Sequence, residues 1–579
     1  MRKQTKIAAI VSAAALLAVG ASMTAFAVTG WQEEDGTWVY YDRNGEQVTD
    51  KWEKSGDNWF YLDDSGEMAT DSLIEDDDNY YYVDANGAMV KNQWIAIDNE
   101  DAGEDDQPDV WWYYFQGNGK AYKNNHSTGN IFKKQINGKT YCFDDEGRMQ
   151  YGWVSHDDGT TNYDDNAYEE CEYYFGDEND GAMTVGWREI ALTDVQDAED
   201  DQPGDSYWDE DQVRWFWFKS SGKKQTSKDN KTINGKKYGF DDKGRMIADW
   251  YTNETVASAT EASKDSAGNK AQGNKDYTET FMYFSSPEDG ARYTKGWFKV
   301  VPGDYLHKDK HDDGDNYWYY ATGDGTIVAS QIKTIKSKKY AFDNYGRMKK
   351  GLQLIQFTAA DETKEIAAIY ADDDKTYSYD TEDNFDATAK LLQPQLETGE
   401  WAFMFFSNDE DHDGSMKTGK QTINIDGDNF TFRFYTSGAR KGQGITGVDD
   451  KKIYLGGKLV AADGDEKIDF YVVKGYTAPD GTVFDQGEKI TVAKLIKAEV
   501  LKKDTSYDKK DETKYVLNGV SDAEFAQNFV CLNTSGSILT SGTKKDGDDY
   551  KIHLSKMAGE ATINGKAVNS ATITYVILK

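Results

Sequence analysis

Residues 36–46 read GTWVYYDRNGE, and the same thought returns as DNWFYLDDSGEM from Asp57 and DNYYYVDANGAM from Asp78. Each block is a short aromatic run, then an Asp, then a turn with Gly. Trp38, Trp59 and Tyr80 stand 21 residues apart. A unit this short cannot enclose a core of its own, so its copies have to stack on one another. Apolar or aromatic residues at alternating positions, closed by Asp, Asn and Gly, are the pattern of a β-hairpin. Helical periodicity is almost absent; the exception, TAADETKEIAAIY over 358–370, predicts a short helix. The fold class expected is therefore all-β: an elongated solenoid of tandem β-hairpin repeats with acidic loop insertions.

Beyond Trp94 the pattern lengthens into a three-part super-repeat. Its first part reads WWYYFQGNGKA at Trp111, RWFWFKSSGKK at Arg214 and NYWYYATGDGT at Asn316. Its second reads INGKTYCFDDEGRM at Ile136, INGKKYGFDDKGRM at Ile233 and IKSKKYAFDNYGRM at Ile335, with periods of 97 and 102 residues. Its third reads EYYFGDENDGAMTVGW at Glu172 and MYFSSPEDGARYTKGW at Met282, with a degenerate copy at Phe403. Acidic insertions at 98–109, 192–212, 252–280, 301–315 and 354–400 read as solvated loops or extended hairpin tips. The divisions expected are an export signal over 1–27, short aromatic hairpins over 28–97, long super-repeats over 98–460, and degenerate β repeats or a capping region over 461–579. The 465–528 stretch matches the pattern weakly and reads as a small β domain or a cap.

The chain has 579 residues, 66 basic and 103 acidic, for a formal charge of −37. Phosphate binding needs a basic face, so nucleic acid is excluded as the expected partner. A cation or a neutral glycan fits the charge. Aromatics make up 14% of residues, which argues against an acidic disordered chain. Arg2, Lys3 and Lys6, an apolar run from Ile7 to Ala21, and Ala25-Phe26-Ala27 form an export signal, so the mature chain is expected to start at Val28. That run is short for a membrane span, and no other segment approaches the length of one. No Pro follows a Leu, so there is no Leu-Pro-x-Thr-Gly sorting signal, and attachment to the cell is expected to be non-covalent. Cys142, Cys171 and Cys531 are an odd set that reads as buried strand residues rather than a disulfide framework.

Three motifs are weighed and set aside. Asp409-x-Asp411-x-Asp413-Gly414 opens like a calcium loop, but Lys420 stands where the closing Glu belongs, and the stretch aligns with a hairpin turn. Gly442-x-Gly444-x-x-Gly447 is followed by a strand-like KKIYLGG rather than a helix, so it reads as turn glycines. His307-x-x-x-His311 has metal spacing but sits in a charged loop. No metal and no cofactor is expected. Repeats occupy most of the chain, which leaves little room for a catalytic domain.

The 30–94 blocks closely resemble the choline-binding, or cell-wall-binding, repeats of Gram-positive surface proteins. The matching elements are Gly30-Trp31 with Trp38–Tyr41, Lys51-Trp52 with Trp59–Leu62, and Tyr80–Val83 with Asn86-Gly87-Ala88-Met89. The INGKxYxFDxxGRM units are similar to the glucan-binding repeats of glucosyltransferases and the carbohydrate-binding repeats of large clostridial toxins. The resemblance implies a left-handed superhelix of hairpins with about three per turn. It also implies ligand cages of two Trp from one repeat, a Tyr from the next and a nearby Met. Carried over, the first cage is Trp31, Trp38 and Tyr61 with Met68, and the second is Trp52, Trp59 and Tyr82 with Met89. A third lacks its leading Trp, since Leu73 stands there. Later copies read as closed, with Cys142, Gly239 and Ala341 at the place of the Tyr.

Such cages suit a quaternary ammonium, which has no N–H to donate and is held by ring faces at roughly 0.5–2 kcal/mol per contact. The same rings serve as inter-hairpin core. Three functional readings follow, in this order. The first is a non-enzymatic, exported protein that binds choline-like groups of teichoic acid at a Gram-positive cell wall. The second is a glycan-binding repeat protein using the same surfaces. The last is a wall-active enzyme with its activity in 353–400 or 465–528.

Overall fold

The computed structural model describes residues 28–104, 106–126, 131–192, 213–252, 273–358, 365–408, 413–547 and 549–579. The export signal, most of the 192–212 and 252–280 insertions, and Asp409 and Asp411 of the calcium-like motif lie outside the described residues. Among the described residues antiparallel strand dominates. Gly30–Glu34 pairs with Thr37–Tyr41, Lys51–Ser55 with Asn58–Leu62, Ser72–Asp76 with Asn79–Val83, and Gln93–Asp98 with Val110–Phe115. The 21-residue period is one hairpin plus one turn.

The Asp that ends each aromatic strand makes the turn. Asp63 Oδ1 accepts the N–H groups of Ser65 and Glu67, both at 2.9 Å. Asp84 Oδ1 accepts those of Asn86 at 2.8 Å and Ala88 at 3.0 Å. Asp144 and Asp343 repeat the arrangement. This side chain stands in for a backbone acceptor, and Gly66 and Gly87 supply the left-handed conformation that follows, at φ 82° and 76°. The chain then returns to the hairpin before. The Met68 N–H donates to the Trp38 carbonyl at 2.7 Å, that of Met89 to Trp59 at 2.8 Å, and that of Ala121 to Tyr80 at 2.8 Å. Met246 and Met348 make the same bond to Trp215 and Trp318, both at 2.8 Å. A main-chain bond thus fixes the spacing of successive copies.

In the FDxxGRM units the Arg closes back on the turn. Arg148, Arg245 and Arg347 donate from Nε to Asp144, Asp241 and Asp343 at 2.7, 2.7 and 2.8 Å. Each guanidinium also lies over an aromatic ring, of Trp111, Tyr168 and Tyr317 respectively. These pairs are largely buried, where a fork of directed donors is worth more than a loose surface ion pair.

The chain forms two compact units. One gathers the described residues up to 248 with 284–291; the other gathers those of 249–283 and from 292 to 579. The second unit departs from simple hairpins after 351. Gly351–Phe357 is the middle strand of a three-stranded sheet between Ile366–Tyr370 and Trp401–Phe406. Two corrections follow. The helix expected over 358–370 is, where described, the edge strand Ile366–Tyr370; pairing along Leu354–Phe357 overrides local helix propensity. The 354–400 insertion is not a solvated loop, because Tyr379, Phe385, Leu392 and Leu396 bury there against Phe403 and Phe432. Helices Glu382–Leu391, Val492–Lys497 and Asp522–Asn528 start at Thr381, Thr491 and Ser521, whose hydroxyls accept the N–H three residues on. The 301–315 insertion likewise holds a short helix, Lys308–Asp312.

From Ile468 onward a three-stranded and a five-stranded sheet enclose a core of Phe470, Leu495, Phe525, Phe529, Leu554 and Ile573. The strand Phe529–Asn533 still ends in the repeat's turn, with Asn533 Oδ1 accepting from Ser535 and Ser537 at 3.1 and 2.8 Å. Cys142, Cys171 and Cys531 are buried and unpaired.

Asp546 is a cost within this core. It is 1% exposed, as is Asp469. Its Oδ1 accepts from the Ile468 N–H at 3.0 Å, while its Oδ2 has no partner. Burial, with Glu466 and Asp469 adding negative potential, pushes its pKa from 3.8 up to about 7. The fold binds this proton more tightly than the unfolded chain does. Stability from this group is therefore present below about pH 4, falls as pH rises, and levels off above about pH 7. Asp546→Asn should stabilise the chain at pH 8 and do little at pH 4. The ceiling is roughly 4 kcal/mol, and thermal melts at the two pH values check it.

Candidate functional site

Register decides which rings can meet. In the first hairpin Trp31 faces Tyr40 and Glu33 faces Trp38, so these four side chains share one face, while Val39 and Tyr41 lie on the other. In the second, Trp52, Lys54, Trp59 and Tyr61 share the corresponding face, and Phe60 and Leu62 occupy the opposite one. The tryptophan face of one hairpin packs on the opposite face of the next. Trp31 makes edge-on contacts with Tyr40 of its own hairpin at 5.3 Å and Phe60 of the next at 5.4 Å, between ring centroids. Trp52 meets Tyr61 edge-on and Tyr81 at a tilt, both at 5.1 Å.

The ring of the next hairpin that meets the leading Trp is therefore Phe60 or Tyr81, not the expected Tyr61 or Tyr82. Tyr61 belongs to its own hairpin's Trp52. Tyr82 packs with Phe115 at 6.1 Å and donates its hydroxyl to Asp71 at 2.6 Å. A shift of one residue along a strand moves a side chain to the other face. Later copies repeat this contact through the residue beside Cys142, Gly239 or Ala341. Trp94 meets Tyr114 at 5.2 Å and Tyr141 at 4.8 Å. Trp187 meets Trp215, Trp217 and Tyr238 at 6.2, 5.2 and 4.8 Å. Trp297 meets Trp318, Tyr320 and Tyr340 at 6.4, 5.1 and 4.8 Å. Cys142 and Ala341 are buried on the faces turned away from those tryptophans.

Faces with a leading and an outer tryptophan are thus Trp31/Trp38, Trp52/Trp59, Trp94/Trp112, Trp187/Trp215 and Trp297/Trp318, with Trp217 as a third on the Trp187 face. Their leading indoles are half-buried, and Trp59 is exposed at 37%. The Nε1 atoms of Trp31, Trp52 and Trp112 are buried without a hydrogen-bond partner. Met68 and Met89 hold the position beside these faces through their backbone bonds to Trp38 and Trp59. Their thioethers lie over Gly87 and Gly119 of the following turns, where a Cβ would collide. A Met at this position is a spacer between successive turns as well as a neighbour of these tryptophan faces.

One hairpin carries a variation. Trp153 meets Tyr174 at 5.1 Å and Phe216 at 5.3 Å, but Glu172 stands in place of the outer Trp. There Lys224 replaces the Met; its N–H donates to the Glu172 carbonyl at 2.7 Å. Its ammonium sits 5.5 Å from the Trp153 ring, buried enough to push its pKa down to about 8.

Of the set-aside motifs, Gly414 of the calcium-like stretch lies under the Met348 thioether, the place that Gly87 has under Met68. His307 lies flat on Tyr345 at 3.8 Å, and burial pushes its pKa down to about 4; His311 Nδ1 is 2.8 Å from the Pro302 carbonyl. No group of three His, Cys, Asp or Glu among the described residues is arranged to hold a metal. Gly442 and Gly444 sit in a turn and bridge leading to the strand Gly447–Asp449. No helix among the described residues is long and apolar enough to cross a membrane.

The choline-binding repeat model matches residues 28–71 and again 51–94. Residues 28–94 are choline-binding repeats. No curated protein matches the chain. Among solved structures, choline binding protein F from Streptococcus pneumoniae aligns at 16% identity over 75% of this chain and 99% of its own, with a TM-score of 0.22. The choline-binding domain of CbpL from the same organism aligns at 19% identity over 52% and 97%, with a TM-score of 0.22. The modular autolysin LytC of Streptococcus pneumoniae, in complex with a synthetic peptidoglycan ligand, aligns at 16% identity and a TM-score of 0.29. That alignment covers 57% of this chain and about half of LytC, 55%.

The register gives a sharp test. Tyr81→Leu should weaken choline binding at the second repeat several-fold, the scale of one cation–π contact, while Tyr82→Leu leaves it intact. Tryptophan fluorescence titrations of the two variants distinguish them.

Proposed function

We propose that this is a non-enzymatic, exported protein that attaches to a Gram-positive cell envelope by seating choline-like groups of teichoic acid in aromatic cages between hairpins. Within each unit the hairpin ladder is read as a solenoid that sets these cages in series. The cages are Trp31/Trp38/Phe60, Trp52/Trp59/Tyr81, Trp94/Trp112/Tyr141, Trp187/Trp215/Tyr238 and Trp297/Trp318/Tyr340. The observation that carries the reading is Lys224. In the hairpin where Glu172 takes the place of the outer Trp, an ammonium of the chain's own, held by the Tyr168 and Glu169 carbonyls, sits 5.5 Å from the leading Trp153 ring. The same ring surface in complete copies suits a quaternary ammonium from outside, and the charge of −37 favours a cationic guest. Weak cages on one chain add through effective concentration on a polymer that repeats its headgroup.

A second reading has its own observation. Tyr151, Trp153, Thr161, Asn162, Tyr163 and Tyr174 line a cleft of about 230 Å³, and Tyr163 is exposed. Flat rings beside hydroxyl and amide groups suit a sugar. Elution from whole cell walls separates the two. Free choline should release the bound protein and glucose polymers should not; the reverse result favours the glycan.

A further inference from the structure

Across the hairpin from each outer tryptophan stands an exposed residue whose charge changes from copy to copy. Glu33 faces Trp38, Lys54 faces Trp59, Ala96 faces Trp112, Glu189 faces Trp215, and Lys299 faces Trp318. The aromatic parts of these faces are nearly alike, so this position is where they differ most in chemistry. Lys54 already uses it: its Nζ lies 6.0 Å from the Trp59 ring centroid. A guest cation at Trp59 has to displace that ammonium or tolerate it a few ångströms away. At Trp38 and Trp215 the facing carboxylate attracts the same guest.

We propose that this cross-strand residue ranks the cages for quaternary ammonium ligands. Glu33 and Glu189 make the Trp38 and Trp215 faces fill first, Ala96 leaves the Trp112 face intermediate, and Lys54 and Lys299 hold back the Trp59 and Trp318 faces. The consequence is a chain with strong and weak grips rather than equal ones. The weak grips are the ones that salt strengthens, since screening relieves repulsion there and removes attraction at the others. The inference rests on the choline reading above.

The test uses the full chain with 5-fluorotryptophan in place of Trp. Fluorine resonances are assigned by single Trp→Phe variants, and free choline is titrated at low salt. Trp38 and Trp215 should respond at lower choline than Trp59 and Trp318. Lys54→Gln should lower the midpoint at Trp59 about five-fold, and Glu33→Gln should raise that at Trp38 about five-fold. That is the size expected of one unit charge nearby in a partly solvated site. The Trp215 midpoint should not move in either variant, which also reports that the fold is intact. Raising salt to about 0.5 M should shrink both differences, since the Debye length falls well below its value of about 10 Å at 0.1 M. Equal midpoints in the unaltered chain, or a Trp59 midpoint that ignores Lys54→Gln, overturn the ranking while leaving the cages standing. A chain in which no tryptophan responds to choline overturns the binding reading itself.

Discussion

The structure depends on one contact made again and again: a leading tryptophan wedged edge-on between a ring of its own hairpin and a ring from the opposite face of the next. Trp31, Trp94, Trp187 and Trp297 sit this way, and Trp52 does so with its second ring tilted, all with centroid distances between 4.8 and 5.4 Å. Edge-to-face pairs of this kind add about 0.5–1.5 kcal/mol each beyond the area they bury. A lone two-stranded hairpin is marginal in water, and each of these borrows its stability from its neighbour. The same wedge leaves one indole flank toward solvent. Core and candidate cage are two sides of one arrangement.

The wedge needs a constant step between hairpins, and the turns provide it. The Asp side chain organises the turn, the Gly takes the left-handed conformation, and the next N–H bonds to the carbonyl of the preceding hairpin's outer aromatic, Trp38 or Trp59. Met68 and Met89 then fill the gap to the turn beyond, against Gly87 and Gly119. In the longer units an Arg–Asp fork does part of this work, so Arg148, Arg245 and Arg347 recur with the turn they brace.

Much of this was legible in the letters. Period-two alternation, Asp-x-x-Gly turns and the 21-residue spacing predict the hairpins and their stacking. The candidate tryptophans were legible too. The third ring was not, because Phe60-Tyr61 and Tyr81-Tyr82 put aromatics at both adjacent positions, and residue type alone does not say which face a side chain takes. Choosing Tyr61 and Tyr82 by letter also made Cys142, Gly239 and Ala341 look like broken cages, when Tyr141, Tyr238 and Tyr340 beside them are the rings in contact. The helix expected over 358–370 yielded to sheet pairing that only distant strands reveal. The helices that do form in the second unit were missed from the sequence; at Asp522–Asn528 the one local signal is the cap, where the Ser521 hydroxyl accepts the Glu524 N–H.

A choline-soaked crystal examines the central claim most directly. If rings from opposite faces of successive hairpins both build the core and leave the grip, a trimethylammonium group will lie within about 6 Å of the ring centroids of Trp31, Trp38 and Phe60, and again of Trp52, Trp59 and Tyr81. Density on the side of Tyr61 and Tyr82 instead, or none beside these indoles at saturating choline, would contradict it.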